Sequence, residues 1–321
     1  MQMHQTRRAT SKSRIYLVKI FGTTWKSSLP VDGMALVSPA LRRLSWNATL
    51  PLMVVEFTKM NGAGNDFVVI DNRSGQLKLT PGQIARICDR HRGVGADGLM
   101  LLVPSQSGKA DWGWDFFNSD GSSGEMCGNG ARCFARFVQK HAKTNGALKF
   151  DTLAGIITAA FKGQQVTVNL TTPTDLRLNE NVALSTGTQT IHSLNTGVPH
   201  SVLFVPDADK AMVNTLGPEI RHHSHFSPRG TNVNFAQVTG PGQIRVRTFE
   251  RGVEGETLAC GTGVTAAAII ASRVHGFKPP VKVQVQGGDQ LEVSFTEAGG
   301  QFQNVQLTGP AEFVFEGKIS V

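Results

Sequence analysis

Two segments each set a cysteine against a pair of glycines: Met126-Cys127-Gly128-Asn129-Gly130 and Ala259-Cys260-Gly261-Thr262-Gly263. Helix-forming residues follow both, and Thr265–Ala271 is Ala-rich, so each thiol is expected at a helix N-terminus. There a thiol meets the positive end of the macrodipole and free backbone amides, which lower its pKa from about 8.5 toward neutrality. Glycines let successive amides approach a ligand carboxylate. Cys127 and Cys260 are therefore candidate acid–base groups, each beside a carboxylate cradle. Cys88 and Cys133 lack flanking glycines and fall at helical spacing among apolar residues, which reads as core packing.

Polar residues crowd around the two thiols in sequence. Asn118-Ser119-Asp120-Gly121 precedes Cys127, Glu250-Arg251-Gly252 precedes Cys260, and Asn61-Gly62-Ala63-Gly64-Asn65-Asp66 forms a Gly-rich turn. Arg251 suits a carboxylate, Glu250 suits an ammonium, and Asn65, Asn118 and Asn232 can orient either. Singly these are turn residues; together they suit a small zwitterion. Gly93-Val94-Gly95-Ala96-Asp97-Gly98 fits G-x-G-x-x-G, but a helical pattern precedes it and a strand follows. That order is the reverse of a dinucleotide fingerprint. His222, His223 and His225 lie close to Pro228 and Gly230 and read as a solvated loop. With no C-x₂-C pair or matching His spacing, no metal site is expected.

These groups must be carried by a strand-rich α/β (α+β type) chain. Thr80 and Pro81 mark a helix start, with Ile84, Ile87 and Cys88 at 3–4 spacing; Leu99–Val103 is a continuous apolar strand; 129–140 is helical, with Phe134, Phe137 and Val138 on one face. The pattern then repeats. At an offset of about 133 residues Phe116 falls on Phe249, Cys127 on Cys260, Gly130 on Gly263 and Ala135 on Ala268, and the Asn65 turn falls on His200. Duplication predicts two similar lobes with one thiol each and a cleft between them. The expected lobes are 53–171 and 172–310, with the strand at about 311–321 returning to the first.

The chain has 321 residues, with 32 Lys/Arg against 24 Asp/Glu. Eight of the basic residues and one acid, Asp32, lie in residues 1–52, so the body is nearly neutral and a nucleic-acid partner is not expected. No run reaches the ~18 apolar residues of a membrane helix, so no membrane partner is expected. The leader, Arg- and Ser-rich, reads as a transit sequence or as residues upstream of a start at Met53, the second being preferred. Four Cys suit reduced thiols in the cytoplasm.

Lys-Met-Asn-Gly-Ala-Gly-Asn-Asp-Phe (59–67), Asn-Ser-Asp-Gly-Ser with Met-Cys-Gly-Asn-Gly-Ala-Arg (118–132), and Glu-Arg-Gly with Glu-Thr-Leu-Ala-Cys-Gly-Thr-Gly (250–263) closely resemble the diaminopimelate epimerase family. The resemblance runs from Met53 essentially to the C-terminus. It implies cofactor-independent interconversion of LL- and meso-2,6-diaminoheptanedioate on the way to lysine and peptidoglycan. It implies two pseudo-symmetric lobes, each a barrel-like sheet around a central helix with the active site between them, and a homodimer. By motif, Cys127 and Cys260 are implied as catalytic; Asn65, Asn118, Gly128, Asn129, Asn232, Glu250, Arg251, Gly261 and Thr262 as substrate-binding; and His200 and Glu250 as groups tuning the thiols. Gly98 and Val198 stand where the family often has Gln and Asn, and the loop before Cys260 is one residue longer than the family's shortest.

Inverting a stereocentre without a cofactor needs a base on one face and an acid on the other, which two thiols in one pocket can provide. A proline or hydroxyproline racemase of the same architecture, a thiol redox protein and a ligand-binding protein are the rival readings.

Overall fold

Alternating strands and turns from residue 54 onward build two lobes in the same order. The structure, a computed structural model, describes residues 18–20, 23–25, 53–143 and 146–321. The chain divides into units Met1–Pro51 and Leu52–Val321. In the first, Val18–Ile20 pairs antiparallel with Thr23–Trp25; the expectations of a transit sequence or a later start fall on residues outside those described. Everything below concerns the second unit.

In the first lobe Val54–Gly62 and Asn65–Asp71 form a hairpin. Its two-residue turn, Ala63-Gly64, has φ of 59° and 100°. Positive φ at both central residues matches the twist of the flanking strands, and it fixes where Asn65 emerges. Asn65–Asp71 then runs through helix α1 (Pro81–Cys88) to the parallel strand Gly98–Val103. Gly98–Val103 pairs antiparallel with Trp112–Asn118, which runs through α2 (Gly128–His141) to the parallel strand Leu148–Thr152. Gly155–Lys162 and Gln165–Asn169 complete the lobe.

The second lobe repeats this order and adds the strands Thr174–Leu184 and Gly255–Thr257. Gly187–Asn195 and Pro199–Phe204 pair antiparallel; α3 (Val213–His222) leads to the parallel strand Asn232–Gly240; Gln243–Glu250 pairs antiparallel with it; α4 (Gly261–His275) leads to the parallel strand Val281–Gln284. Gln290–Ala298 and Gln301–Pro310 follow. The thin sequence repeat thus corresponds to a duplicated topology, with α2 and α4 in equivalent positions.

Burial explains the apolar patterns. Every residue of Gly98–Val103 is buried, because Met100 and Leu102 pack with Phe134 and Phe137 of α2 while Leu99, Leu101 and Val103 pack with Ile84 and Ile87 of α1. A strand covered on both faces reads as a continuous hydrophobic run. Thr80 and Gln83 form the capping box that starts α1. α4 is buried from Gly261 to Ala271 apart from Thr262, and its small side chains let strands close around it.

Two strands tie the lobes together. Gln301–Pro310 pairs with Gln290–Ala298 of the second lobe and with Gln165–Asn169 of the first. The chain then re-enters the first lobe, where Glu312–Ser320 lies antiparallel to Val54–Asn61. One continuous core contains residues of both central helices, with Leu307 fully buried among them. Among the described residues no helix is long and apolar enough to cross a membrane.

Leu307 supports both helix ends, so its truncation tests the junction. Leu307→Ala is expected to destabilise the protein by about 2–5 kcal/mol, read as a lower midpoint in thermal or urea unfolding. An unchanged midpoint would contradict the packing described.

Candidate active site

Both thiols are N-caps. Cys127 and Cys260 sit in extended backbone immediately before α2 and α4, and Cys127 Sγ accepts from the Gly130 amide at 3.4 Å, as a serine oxygen would at this position. The two helices meet end to end at glycines. A Cβ on Gly261 would lie 3.6 Å from the Gly128 Cα, and Leu307 Cδ2 would stand 3.1–3.2 Å from a Cβ on either glycine. Only the missing side chains allow this approach, which brings the amides of both N-termini close together.

Proton affinities differ from the sequence expectation. Burial pushes both thiols up, so desolvation of the thiolate outweighs the helix-end amides. Glu250 raises both thiols further, and Cys127 adds to the rise at Cys260; the Gly130 amide and Arg132 oppose it at Cys127, as the Thr262 hydroxyl and the Gly263 amide do at Cys260. These mutual influences place Cys127, Cys260 and Glu250 in one neighbourhood. Glu250 is itself raised by burial, and the nearby Thr257 side chain, whose buried Oγ1 makes no hydrogen bond, acts against that rise.

His200 lies behind Cys260 in a chain of oriented hydrogen bonds. The Asn234 amide is fixed by Nδ2 donating to the Ser201 carbonyl (2.9 Å) and Oδ1 accepting from Thr248 (2.9 Å). The same Nδ2 donates to His200 Nδ1 (3.2 Å). The imidazole proton is thereby placed on Nε2, which donates to Thr262 Oγ1 (2.9 Å). Thr262 is left to donate its hydroxyl to Cys260 Sγ at 3.5 Å. Burial, with Arg251 nearby, drives His200 down to about 3, so it is a neutral hydrogen-bond relay at physiological pH.

The amides fall into two groups. Asn65 donates to Asp97 (3.0 Å) and accepts from Asn129 Nδ2 (2.6 Å). Asn129 also donates weakly to the Ala259 carbonyl (3.5 Å) and accepts from Arg132 (2.8 Å). Its side chain is thus committed to the junction, while its backbone amide acts on Cys127. Asn232 donates to the Pro199 carbonyl and accepts from the Arg251 amide (2.9 and 2.8 Å), joining the second lobe's two loops. The Arg251 guanidinium reaches the Arg229 carbonyl (3.3 Å). Asn118 is more exposed and donates to Ser122 (3.0 Å).

Several functional supports were not visible from motifs. Lys59, Asp66, Arg90 and Asp97 form a cluster behind Asn65 (Lys59–Asp66 2.8 Å, Arg90–Asp66 2.8 Å, Arg90–Asp97 2.6 Å). Burial works against the Asp66 charge, yet Arg90 and Lys59 hold it down to about 2. The acids sit in the two Gly-rich turns already singled out, and that was the available signal. Gly64 places its backbone against Leu258, where a Cβ would come 2.6 Å from the Leu258 Cβ. Gly98 leaves no space for a longer side chain, since its Cβ would meet Phe116 and the Phe117 carbonyl at 2.8 and 2.7 Å. A cavity of about 450 Å³ opens beside His200, bounded by Pro199, Thr231, Arg229 and Arg177.

The histidine run is not the loop expected. His222 is the last residue of α3, and His225 lies in a 3₁₀ turn. They do not converge, because His222 faces Glu254 (3.4 Å) and His225 faces Glu180 (2.9 Å).

Comparison with known proteins follows this geometry. Residues 57–175 and 192–314 match the family model for diaminopimelate epimerase. The chain is 44% identical over 279 residues to the diaminopimelate epimerase of Aquifex aeolicus, covering 83% of this chain and 98% of that one. It is 41% identical over 266 residues to that of Chlorobaculum tepidum, covering 82% and 100%. Among solved structures, a Bacillus anthracis phenazine biosynthesis protein of the PhzF family aligns with a TM-score of 0.67 at 15% identity, over 84% of this chain and all of that one. An Agrobacterium vitis hydroxyproline epimerase aligns with 0.63 at 16%, over 84% and 93%. These two share the fold.

His200 is held far below its ordinary 6.5 by burial, so unfolding takes up a proton at acid pH. Its contribution to stability is therefore complete above about 6.5 and is lost as pH falls toward 3. His200→Gln is expected to flatten the acid loss of stability by about 1.4 kcal/mol per pH unit within that window, measured by urea unfolding at stepped pH. An unchanged slope would show that His200 is not buried as a neutral ring.

Proposed function

The chain belongs to the diaminopimelate epimerase family, and on that premise we propose that it interconverts LL- and meso-2,6-diaminoheptanedioate with Cys127 and Cys260 as the two acid–base groups. The observation that carries this reading is the end-to-end meeting of α2 and α4, each capped by one of those thiols. One sulfur, as thiolate, removes the α-proton; the other, as thiol, delivers a proton to the opposite face; the roles exchange for the other isomer. The reacting carboxylate lies on the backbone amides of Gly128, Asn129, Gly261 and Thr262, which stabilise the charge that develops as the α-proton leaves. Asn65 is the side-chain contact from the first lobe.

At the distal end, Arg251 pairs with the carboxylate and Glu250 with the ammonium, helped by Asn118 and Asn232. Phe116 and Phe117 close off the space at Gly98, so those contacts carry distal recognition without a side chain there. In this reading the product feeds lysine and peptidoglycan synthesis. The four unpaired cysteines suit a reducing cytoplasm.

A second copy of the chain is the partner we propose. Phe313, Val314 and Phe315 are exposed on the C-terminal strand that edges the first lobe, and exposed apolar side chains in succession favour a homodimer. Light scattering of the full chain is expected to give twice the monomer mass, and Phe315→Lys to halve it. A monomeric wild type would remove the dimer.

The reaction is tested in D₂O with LL-diaminoheptanedioate, watching for meso product carrying α-deuterium. Cys127→Ala and Cys260→Ala are each expected to lower turnover by about 10³-fold or more, while the surviving thiol still exchanges deuterium into one isomer. Full turnover by either variant would refute the two-thiol scheme. Racemisation of proline or hydroxyproline in place of this substrate would favour the rival reading.

A further inference from the structure

Arg132 is buried where its charge has no carboxylate to match it. It lies on α2 five residues after Cys127 and is fully buried. Its three hydrogen bonds all go to neutral oxygens: Nη1 to the Gly128 carbonyl (3.2 Å), Nη2 to Asn129 Oδ1 (2.8 Å) and Nε to the Pro310 carbonyl (3.3 Å). Room is made by Gly309, whose Cβ would come within 3.1 Å of Nε. A guanidinium stays charged in a protein, and burying it without an anion is costly. The groups facing it are Cys133, Cys127 and Asp289. Cys133 is pushed up to about 12 by burial and stays a thiol. Asp289 forms no ion pair with Arg132 among the described residues, and burial raises it.

The duplication supplies the contrast. The residue in α4 equivalent to Arg132, at the same offset that superposes the two catalytic cysteines, is Thr265. Its hydroxyl donates to the Gly261 carbonyl at 2.9 Å, the counterpart of the bond from Arg132 to Gly128. Both lobes therefore tether the first carbonyl of the helix from one turn further on, but only the first lobe does so with a positive charge. Glu250 faces both thiols and raises both. Glu312 faces Cys133 and Asp289 and is remote from this choice. His200, behind Cys260, is neutral.

We propose that Arg132 is a positioning residue that makes Cys127 the more readily ionised of the two thiols and leaves Cys260 the proton donor of the pair, by fixing Gly128 and Asn129 beside a permanent buried charge. This rests on the two-thiol reading and adds the assignment of its two sulfurs. It also accounts for an arginine inside a helix core where an apolar side chain would be less costly.

The test is site-resolved alkylation of the full chain with iodoacetamide, without substrate, from about pH 6 to 11, with peptide mass mapping. Because the pH midpoint at each site is read, a difference in exposure between the sulfurs does not decide the result. Cys127 is expected to show a midpoint at least about one unit below that of Cys260. In Arg132→Gln the Cys127 midpoint should rise by about one unit or more while that of Cys260 stays in place. Arg132→Lys, which keeps the charge, should restore most of the shift, and a general loss of packing would not be rescued in this way. If Arg132→Gln does not fold, the wild type and Arg132→Lys decide. Cys260 ionising first in the wild type, or both midpoints moving together in Arg132→Gln, would overturn the assignment. Epimerisation is assayed on the same samples: normal turnover with Cys260 ionising first overturns the assignment alone, and no turnover with Cys127 ionising first overturns the functional reading alone.

Discussion

Two helix N-termini directed at each other dominate this structure. Each carries roughly half a positive elementary charge on unpaired amides, and α2 and α4 bring these ends together at Gly128 and Gly261. Such poles repel in a buried junction unless negative charge lies between them. A thiolate, the Glu250 carboxylate and the carboxylate of a ligand can all supply it. Affinity for an anion therefore arises from the backbone, before any side chain contributes selectivity. In the proposed reaction the amides that would hold the carboxylate are the ones that stabilise charge as the adjacent carbon loses its proton.

Holding two helix ends together takes more than a pocket lining. The strand Gln301–Pro310 pairs with both lobes, and its Leu307 touches the space over both glycines. Val264, Ala266 and Ala267 of α4 share one core with Phe134 and Phe137 of α2. A shift of either lobe would have to break this core or the pairing of that strand. Residues with no chemistry of their own, such as Leu307 and Gly309, are thus what fix the distance between the reactive groups.

The parts legible in the sequence were those written in local patterns. Thr80 and Pro81 announce α1, the continuous apolar run 99–103 announces a strand, and Cys-Gly-x-Gly announces each helix start; all three appear. Helix α3 was missed because its start has no side-chain cap and Pro218 interrupts it. Consequently the neighbouring histidines read as loop. The direction of the thiol shift was missed for a different reason: propensity and capping are local, whereas desolvation depends on which residues from the other lobe cover the site. The Asp66–Arg90–Asp97 cluster and the buried Arg132 depend equally on long-range packing, and spacing carries no trace of it.

Burial sets the chemical problem that the polar groups then solve. Both sulfurs lose solvation, so neither ionises easily without help. In the second lobe the help is directional and neutral. The Ser201 carbonyl and Thr248 orient Asn234, Asn234 selects the His200 tautomer, and His200 turns the Thr262 hydroxyl toward Cys260. A charged imidazole there would donate from both nitrogens and collide with the Asn234 amide hydrogens, so the depressed pKa of His200 is a condition of the relay. In the first lobe the help is a fixed charge behind Gly128. A duplicated scaffold has therefore set like thiols at the N-termini of two equivalent helices while giving them unlike surroundings. The proposed inversion uses that difference, because a pair in which both sulfurs held a proton equally tightly would have no ready base when the substrate arrives.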